Sequence, residues 1–229
     1  MNATKLKLPG MNDYFTQEAF NVLRTNIQFC GQDVKRITVT SCNMNEGKTV
    51  LSLHMGRSLA ELGKRVLVID ADMRKSVMAS RNSVVHNVKG LSEVLIGYEK
   101  LQDCVYATQF PKLHVLFSGQ YPPNPVELLN GKYFEKVLDA VSDVYDYIII
   151  DTPPLGMVID AAVIASKCDS AIMVIGNNNV RYTQAQEVME QLRKSGCNVL
   201  GVVLNNADSK RKGYYRKKNS YGYYYSSKK

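Results

Sequence analysis

Apolar residues fall into two rhythms along this chain. Six short runs are continuous rather than alternating: "RITVTS" (36–41), "RVLVID" (65–70), "LHVLFSG" (113–119), "YIIIDTPP" (147–154), "SAIMVIG" (170–176) and "NVLGVVLNN" (198–206). Such runs predict strands covered on both faces, as in a parallel sheet. Between them, helical patterning predicts helices over 49–62, 131–145, 158–168 and 182–195, with another over roughly 14–29 ahead of the first strand. Gly63 and Gly196 follow two of these segments, where a left-handed residue closes a helix. Strands alternating with helices predict an α/β fold with a mostly parallel central sheet and helices on both faces. No internal repeat interrupts the pattern.

Both rhythms stop near residue 207. Residues 208–229 hold eight Lys/Arg against one Asp, so they carry seven of the chain's eight net positive charges. They also hold six of its 14 tyrosines, at Tyr214, Tyr215, Tyr221, Tyr223, Tyr224 and Tyr225. Without aliphatic residues this segment has nothing to bury, which predicts a folded domain over 1–207 and a flexible basic tail over 208–229. Because the domain itself is nearly neutral, net charge gives no support to a nucleic-acid-binding face. Five scattered cysteines, none spaced CxxC, fit neither a disulfide framework nor a metal cluster and predict a reducing, cytoplasmic setting. No apolar run approaches the roughly 18 residues of a membrane span, and the amino-terminal residues lack the apolar core of a signal peptide.

One loop carries chemistry. "SCNMNEGKTV" (41–50) lies between a predicted strand and a predicted helix, where backbone N–H groups can cradle phosphates. Gly47, Lys48 and Thr49 supply a tight turn, a cation for β- and γ-phosphates, and a hydroxyl for Mg2+. Asn43, Met44, Asn45, Glu46 and Val50 complete the candidate nucleotide contacts. Cys42 stands where a P-loop usually has its first glycine, so the motif by itself is weak. Context strengthens it: Asp70, Asp72 and Asp151 end or follow long aliphatic runs, at the sheet edge where α/β folds bind ligands. Any one of them could be an ordinary helix cap. Three of them beside a GKT ending point to a site for a nucleoside triphosphate with Mg2+, of P-loop NTPase type.

These residues resemble the bacterial tyrosine kinases of capsule and exopolysaccharide synthesis. Those kinases are a branch of the deviant P-loop ATPases that also include septum-site and chromosome-partition ATPases. The resemblance rests on "EGKT", "IDADMR", "IDTPP", "SGQYPPNPVELLN" (118–130), "EAFNVLRTNIQF" (18–29) and the terminal tyrosine cluster. It implies an ATP- and Mg2+-dependent autokinase. Lys48 would neutralise phosphates, Thr49 and Asp151 would hold the metal, Asp70 would act as base, and Asp72 would assist both. Asn205 is similar to a residue that recognises adenine in related ATPases; a plain turn former is the other reading of it. The six tail tyrosines would be phosphoacceptors. Glu18 and Arg24 would make subunit contacts, although Asn21 stands where the family helix has its first arginine, which leaves ring assembly open; Arg74 would make a subunit contact or a phosphate clamp, a solvated loop charge being the other reading of it. Met44-Asn45 replaces the usual Pro-Gly, which puts Asn at a position of positive φ. The implied partners are a separate membrane-spanning activator of the polysaccharide chain-length regulator type, further copies of the chain, and a cognate phosphotyrosine phosphatase, with no nucleic acid. The implied location is the inner face of the cell membrane. A partition-type ATPase that hydrolyses ATP without phosphorylating protein is the alternative.

Overall fold

A computed structural model describes residues 2–6, 14–31, 33–81, 88–177 and 180–207. In chain order it contains β1 (Asn2–Leu6), α1 (Tyr14–Phe29), β2 (Arg36–Ser41), α2 (Lys48–Glu61), β3 (Val66–Asp70) and α3 (Met78–Arg81). Next come α4 (Leu91–Leu95), α5 (Leu101–Cys104), β4 (Val105–Thr108), β5 (Leu113–Leu116), α6 (Pro125–Asn130) and α7 (Lys132–Ser142). The last are β6 (Tyr147–Asp151), α8 (Asp160–Ala165), β7 (Ser170–Gly176), α9 (Tyr182–Lys194) and β8 (Asn198–Asn205). The tail 208–229, with all six candidate phosphoacceptors, lies outside the described residues.

Eight strands form one sheet in the order β1-β4-β5-β3-β6-β2-β7-β8. Every pairing is parallel except β4 with β5. The continuous apolar runs are buried on both sides, as their pattern requires. From β3, Val66 and Val68 pack with Met55 and Leu59 of α2, and Ile27 of α1 joins the same cluster. Leu67 and Ile69 face the other way, toward Phe134 and Leu138 of α7 and Leu91 of α4. A third cluster joins Ala161 and Ala165 of α8 to Val188 and Leu192 of α9 over β7. The layers are thus α1 and α2 on one face and α4 to α9 on the other.

Five elements depart from the sequence reading. β6 stops at Asp151, short of 154, because Pro153 and Pro154 have no N–H to continue a ladder. α7 and α8 are shorter than their patterns. β4 and β1 were not foreseen. β4 is a four-residue strand that follows α5 directly, and β1 lies on β4 at the sheet's edge in parallel register. Gly63 (φ 83°) and Gly196 (φ 81°) do close α2 and α9 in the left-handed conformation.

Candidate active site at the carboxyl ends of β2, β3 and β6

The loop after β2 is tied down by its own polar groups. Gly47, at φ 91°, turns the chain into α2, and Leu51 N–H already donates to its carbonyl at 2.9 Å. Asn45 holds φ 61°, the left-handed corner expected for it. Glu46 is fully buried, and its carboxylate accepts from Asn43 N–H (2.8 Å) and Gly176 N–H (3.2 Å), stapling the loop to the end of β7. Asn205, at the end of β8, donates its side-chain amide to the Glu46 carbonyl at 2.9 Å. A Cβ on Gly47 would lie 2.0 Å from that amide nitrogen, so only glycine fits. Asn43 exchanges amide hydrogen bonds with Gln184 of α9, the shorter at 2.9 Å. Among the predicted nucleotide contacts, then, Asn43, Glu46 and Asn205 use side-chain groups to brace the loop. Met44 and Val50 are exposed at its rim.

The neighbouring strand ends are arranged differently. Asp70 and Asp151 are register partners at the ends of β3 and β6, and both are buried, at 1% and 2% exposure. Burial and then the facing Asp151 charge push Asp70 well above the usual carboxylate range. Burial likewise raises Asp151 to about 7, against the pull of a Thr49 hydrogen bond and the Lys48 charge. Ser52 of α2 donates to Asp151 at 3.4 Å. Asp70 accepts from Asp72 N–H (3.1 Å) on one oxygen and from the Ser76 hydroxyl on the other. Two buried carboxyls on paired strand ends each favour the protonated form more than a solvated carboxyl would, and added positive charge opposes that.

Asp72 accepts the N–H groups of Arg74 (3.2 Å) and Lys75 (2.9 Å), which folds the loop after β3 into a tight turn. That turn delivers Arg74 onto Asp160, the first residue of α8, through Nε (2.8 Å) and Nη2 (3.2 Å). Asp160 is fully buried, so Arg74 is no solvated loop charge: its guanidinium straps the loop after β3 to the loop after β6. Gly156, between "DTPP" and Asp160, sits so close to the Cys42 carbonyl that a Cβ would meet it at 2.3 Å. The three loops are therefore packed as one unit.

Not every predicted residue enters that unit. Glu18 and Arg24 lie on α1, away from the strand ends. Arg24 donates to the Ser58 carbonyl (3.0 Å) and hydroxyl (3.3 Å) of α2, and Glu18 accepts from Asn21 at 3.3 Å. Sequence reasoning missed Ser76, Asp160 and Gln184. Only for Asp160 was there a signal, an acidic residue at a helix start shortly after "DTPP".

No group of three His, Cys, Asp or Glu residues able to hold a metal occurs among the described residues. The oxygen donors present, the Thr49 hydroxyl with Asp151 and Asp72, still suit Mg2+, which takes few protein ligands and completes its shell with phosphate and water. Among the described residues no helix is long and apolar enough to cross a membrane.

Residues 34–195 match the family model described as an AAA domain. A tyrosine-protein kinase CpsD of Streptococcus agalactiae is 42% identical over 193 residues, 84% of each chain. The tyrosine-protein kinase YwqD of Bacillus subtilis (strain 168) is 33% identical over 209 residues, 90% of this chain and 85% of that one. Among solved structures, the kinase domain of Escherichia coli tyrosine kinase ETK superposes with a TM-score of 0.80 at 28% identity, covering 91% of this chain and 85% of that one. The septum-site-determining protein MinD complexed with Mg-ADP from Pyrococcus horikoshii OT3 gives a TM-score of 0.63 at 27% identity, covering 74% and 69%. A nucleotide-binding P-loop is common to these folds, but the identity and coverage favour one branch of them: the chain belongs to the bacterial tyrosine-protein kinases built on the P-loop ATPase fold.

Proposed function

We propose that this chain transfers the γ-phosphoryl group of ATP to tyrosine hydroxyls, first of all those between Tyr214 and Tyr225 of its own tail, as a control on capsular or exopolysaccharide synthesis. The observation that carries this reading is the Asp70–Asp151 pair set against Lys48 and Thr49 at adjoining strand ends. Lys48 meets the β- and γ-phosphates. Thr49, Asp151 and Asp72 hold Mg2+, which offsets charge on the phosphates. Asp70 accepts the proton as the tyrosine oxygen bonds to phosphorus, the bond to the β-phosphate oxygen breaks, and ADP leaves. Phosphoryl transfer needs mainly positioning and charge neutralisation, so a carboxylate is base enough.

The same reading supplies the partners. A membrane-spanning activator holds the chain at the inner face of the membrane, copies of the chain exchange tails, and a phosphotyrosine phosphatase resets them. Each phosphate adds about −1.5 to −2 charges, so a few of them reverse the tail's positive charge. Anti-phosphotyrosine blotting of the purified chain after incubation with ATP and Mg2+ tests the reading. Label that is lost in Lys48→Met is expected. ATP hydrolysis with no phosphotyrosine, with and without a membrane-protein tail, would favour the partition-type ATPase that the likeness to MinD keeps as the second reading.

A further inference from the structure

Asp70 is closed by its own chain. Its side chain is 1% exposed, one oxygen accepts Asp72 N–H at 3.1 Å, and the other accepts the Ser76 hydroxyl. Ser76 lies six residues further on, in the turn that leads into α3, and its oxygen also accepts from Met78 N–H at 3.3 Å. A hydroxyl donating to the base, with the base oriented by a backbone N–H, is the arrangement an acceptor tyrosine must itself make. Ser76 is already making it.

We propose that Ser76 is a stand-in for the acceptor: its hydroxyl occupies the place of the tyrosine hydroxyl on Asp70, and the incoming tyrosine must displace it. This rests on the reading of Asp70 as the base. Three features of the geometry support it. Asp70 is 1% exposed and each of its oxygens already faces a donor of its own chain, so a donor arriving from outside must move part of that shell, Ser76 or the Asp72 N–H. Backbone at Asp72 is held in the turn of Arg74 and Lys75, whereas a serine side chain leaves by one rotation about χ1. Ser76 itself is only half-buried, so its displaced hydroxyl can turn to water rather than be stranded. The step then proceeds with atoms in balance. Tyrosine O–H donates to the vacated Asp70 oxygen, its oxygen bonds to the γ-phosphorus as the bond to ADP breaks, and the proton stays on Asp70. Return of the proton to solvent lets Ser76 close again. Ser76 is thus a positioning residue that acts through Asp70, and it sets the threshold that a tyrosine must cross.

The first arm of the test reads binding and needs no turnover. The host is the full chain with its six tail tyrosines changed to Phe and loaded with a non-hydrolysable ATP analogue and Mg2+. It is titrated with a synthetic 208–229 peptide and with the same peptide carrying Phe for every Tyr. A hydrogen bond to a charged acceptor is worth on the order of tenfold in binding, so Ser76→Ala should raise affinity for the tyrosine peptide about three- to tenfold and leave the Phe peptide unchanged. Ser76→Thr, which keeps the hydroxyl, should match the parent. Should Ser76→Ala fold poorly through loss of the Met78 contact, Ser76→Gly replaces it, since glycine loses little at a helix start. A gain shared by both peptides, or no gain, overturns the proposal. Asp70→Asn separates it from the base reading. Persistent tyrosine transfer in Asp70→Asn refutes the base. Abolished transfer with no hydroxyl-dependent gain in Ser76→Ala refutes the stand-in alone.

Discussion

The loop after β2 and the ends of β3 and β6 share one edge of one sheet, yet they settle their polar groups in opposite ways. In the loop every buried polar group named above has a neutral or complementary partner. The Glu46 carboxylate takes two backbone N–H groups, and the Asn205 amide takes a carbonyl. On the next two strands, Asp70 and Asp151 face each other and are held above their ordinary range by burial. A buried like-charge pair is destabilising unless a cation or a proton joins it. The contrast separates two tasks. On the proposed function the loop is a cradle formed before nucleotide arrives, whereas the carboxylate edge, only partly offset by Lys48, stays electrostatically unsettled until Mg2+ joins it. Preorganisation of the first speeds binding, and frustration in the second couples metal affinity to the state of the site.

Lys48 stands at the border between the two, so it gives the largest expected effect. Lys48→Met should lower tyrosine phosphorylation by about a thousandfold, the upper range for loss of one charge-stabilising donor. The fold should survive, because Glu46 and Asn205 brace the loop. Phosphotyrosine yield and circular dichroism check the two halves. Loss of fold with Lys48→Met would mean that the loop is not self-supporting.

The pH dependence probes the unsettled half. The Asp151 carboxyl is raised from an ordinary 3.8 to about 7 in the folded chain. Unfolded, it ionises near 3.8, so over the interval from about 4 to about 7 the folded state holds the extra proton. Stability is then greatest below that interval and falls as pH rises through it, on the order of 4 kcal/mol at full effect for this one group. In chelator, urea unfolding should show this decline. Asp151→Asn should flatten it, raise stability at pH 8, and weaken Mg2+-dependent nucleotide binding. A wild-type chain without metal whose stability is flat between pH 5 and 8 would contradict the picture of an unsettled pair.

Much of this comparison is legible in the sequence. Six strands, the loop and all three candidate acids came from apolar runs and their polar ends, because a parallel sheet buried on both faces leaves that imprint. What escaped notice depends on contacts distant in sequence. β4 is too short and too mixed to imprint a period, and β1 finds its place only through β4. Nothing in "NEGKT" says that the Glu46 carboxylate turns inward to Gly176. Asp160 and Ser76 are ordinary letters until burial at one and proximity to Asp70 at the other give them meaning. The tail tyrosines lay wholly in the sequence reading and lie outside the described residues.

The Arg74–Asp160 strap tests how the unsettled half is held together. Asp160 is fully buried while Arg74 is about one-third exposed, at 35% of its side chain. Arg74→Met leaves a buried carboxylate without its partner, which costs about 2–4 kcal/mol after allowing for the exposure of Arg74. Arg74→Met with Asp160→Asn should recover most of that, since a neutral amide tolerates burial better than a lone charge. If the double variant is no more stable than the single one, the pair is not the strap described.

Asn45 offers the smallest effect and the finest test of the settled half. Its φ of 61° lies in the left-handed region, which disfavours most side chains by about 1–2 kcal/mol and Asn by less. Asn45→Gly removes that strain, but glycine also gains freedom in the unfolded chain, roughly 0.4–1 kcal/mol in the opposite sense. The two nearly cancel, so stability should shift by under about 0.5 kcal/mol. Asn45→Val is the sharper partner, because a β-branched side chain is worst at positive φ. It should lose about 1–2 kcal/mol and weaken ATP binding several-fold by tilting the N–H groups of the loop. Thermal melts and nucleotide titration of the two variants decide the matter. Equal behaviour of Gly and Val at position 45 would show that the left-handed corner relaxes at little cost. The loop would then form around the nucleotide, as the carboxylate edge forms around its metal, and the contrast between the two halves would disappear.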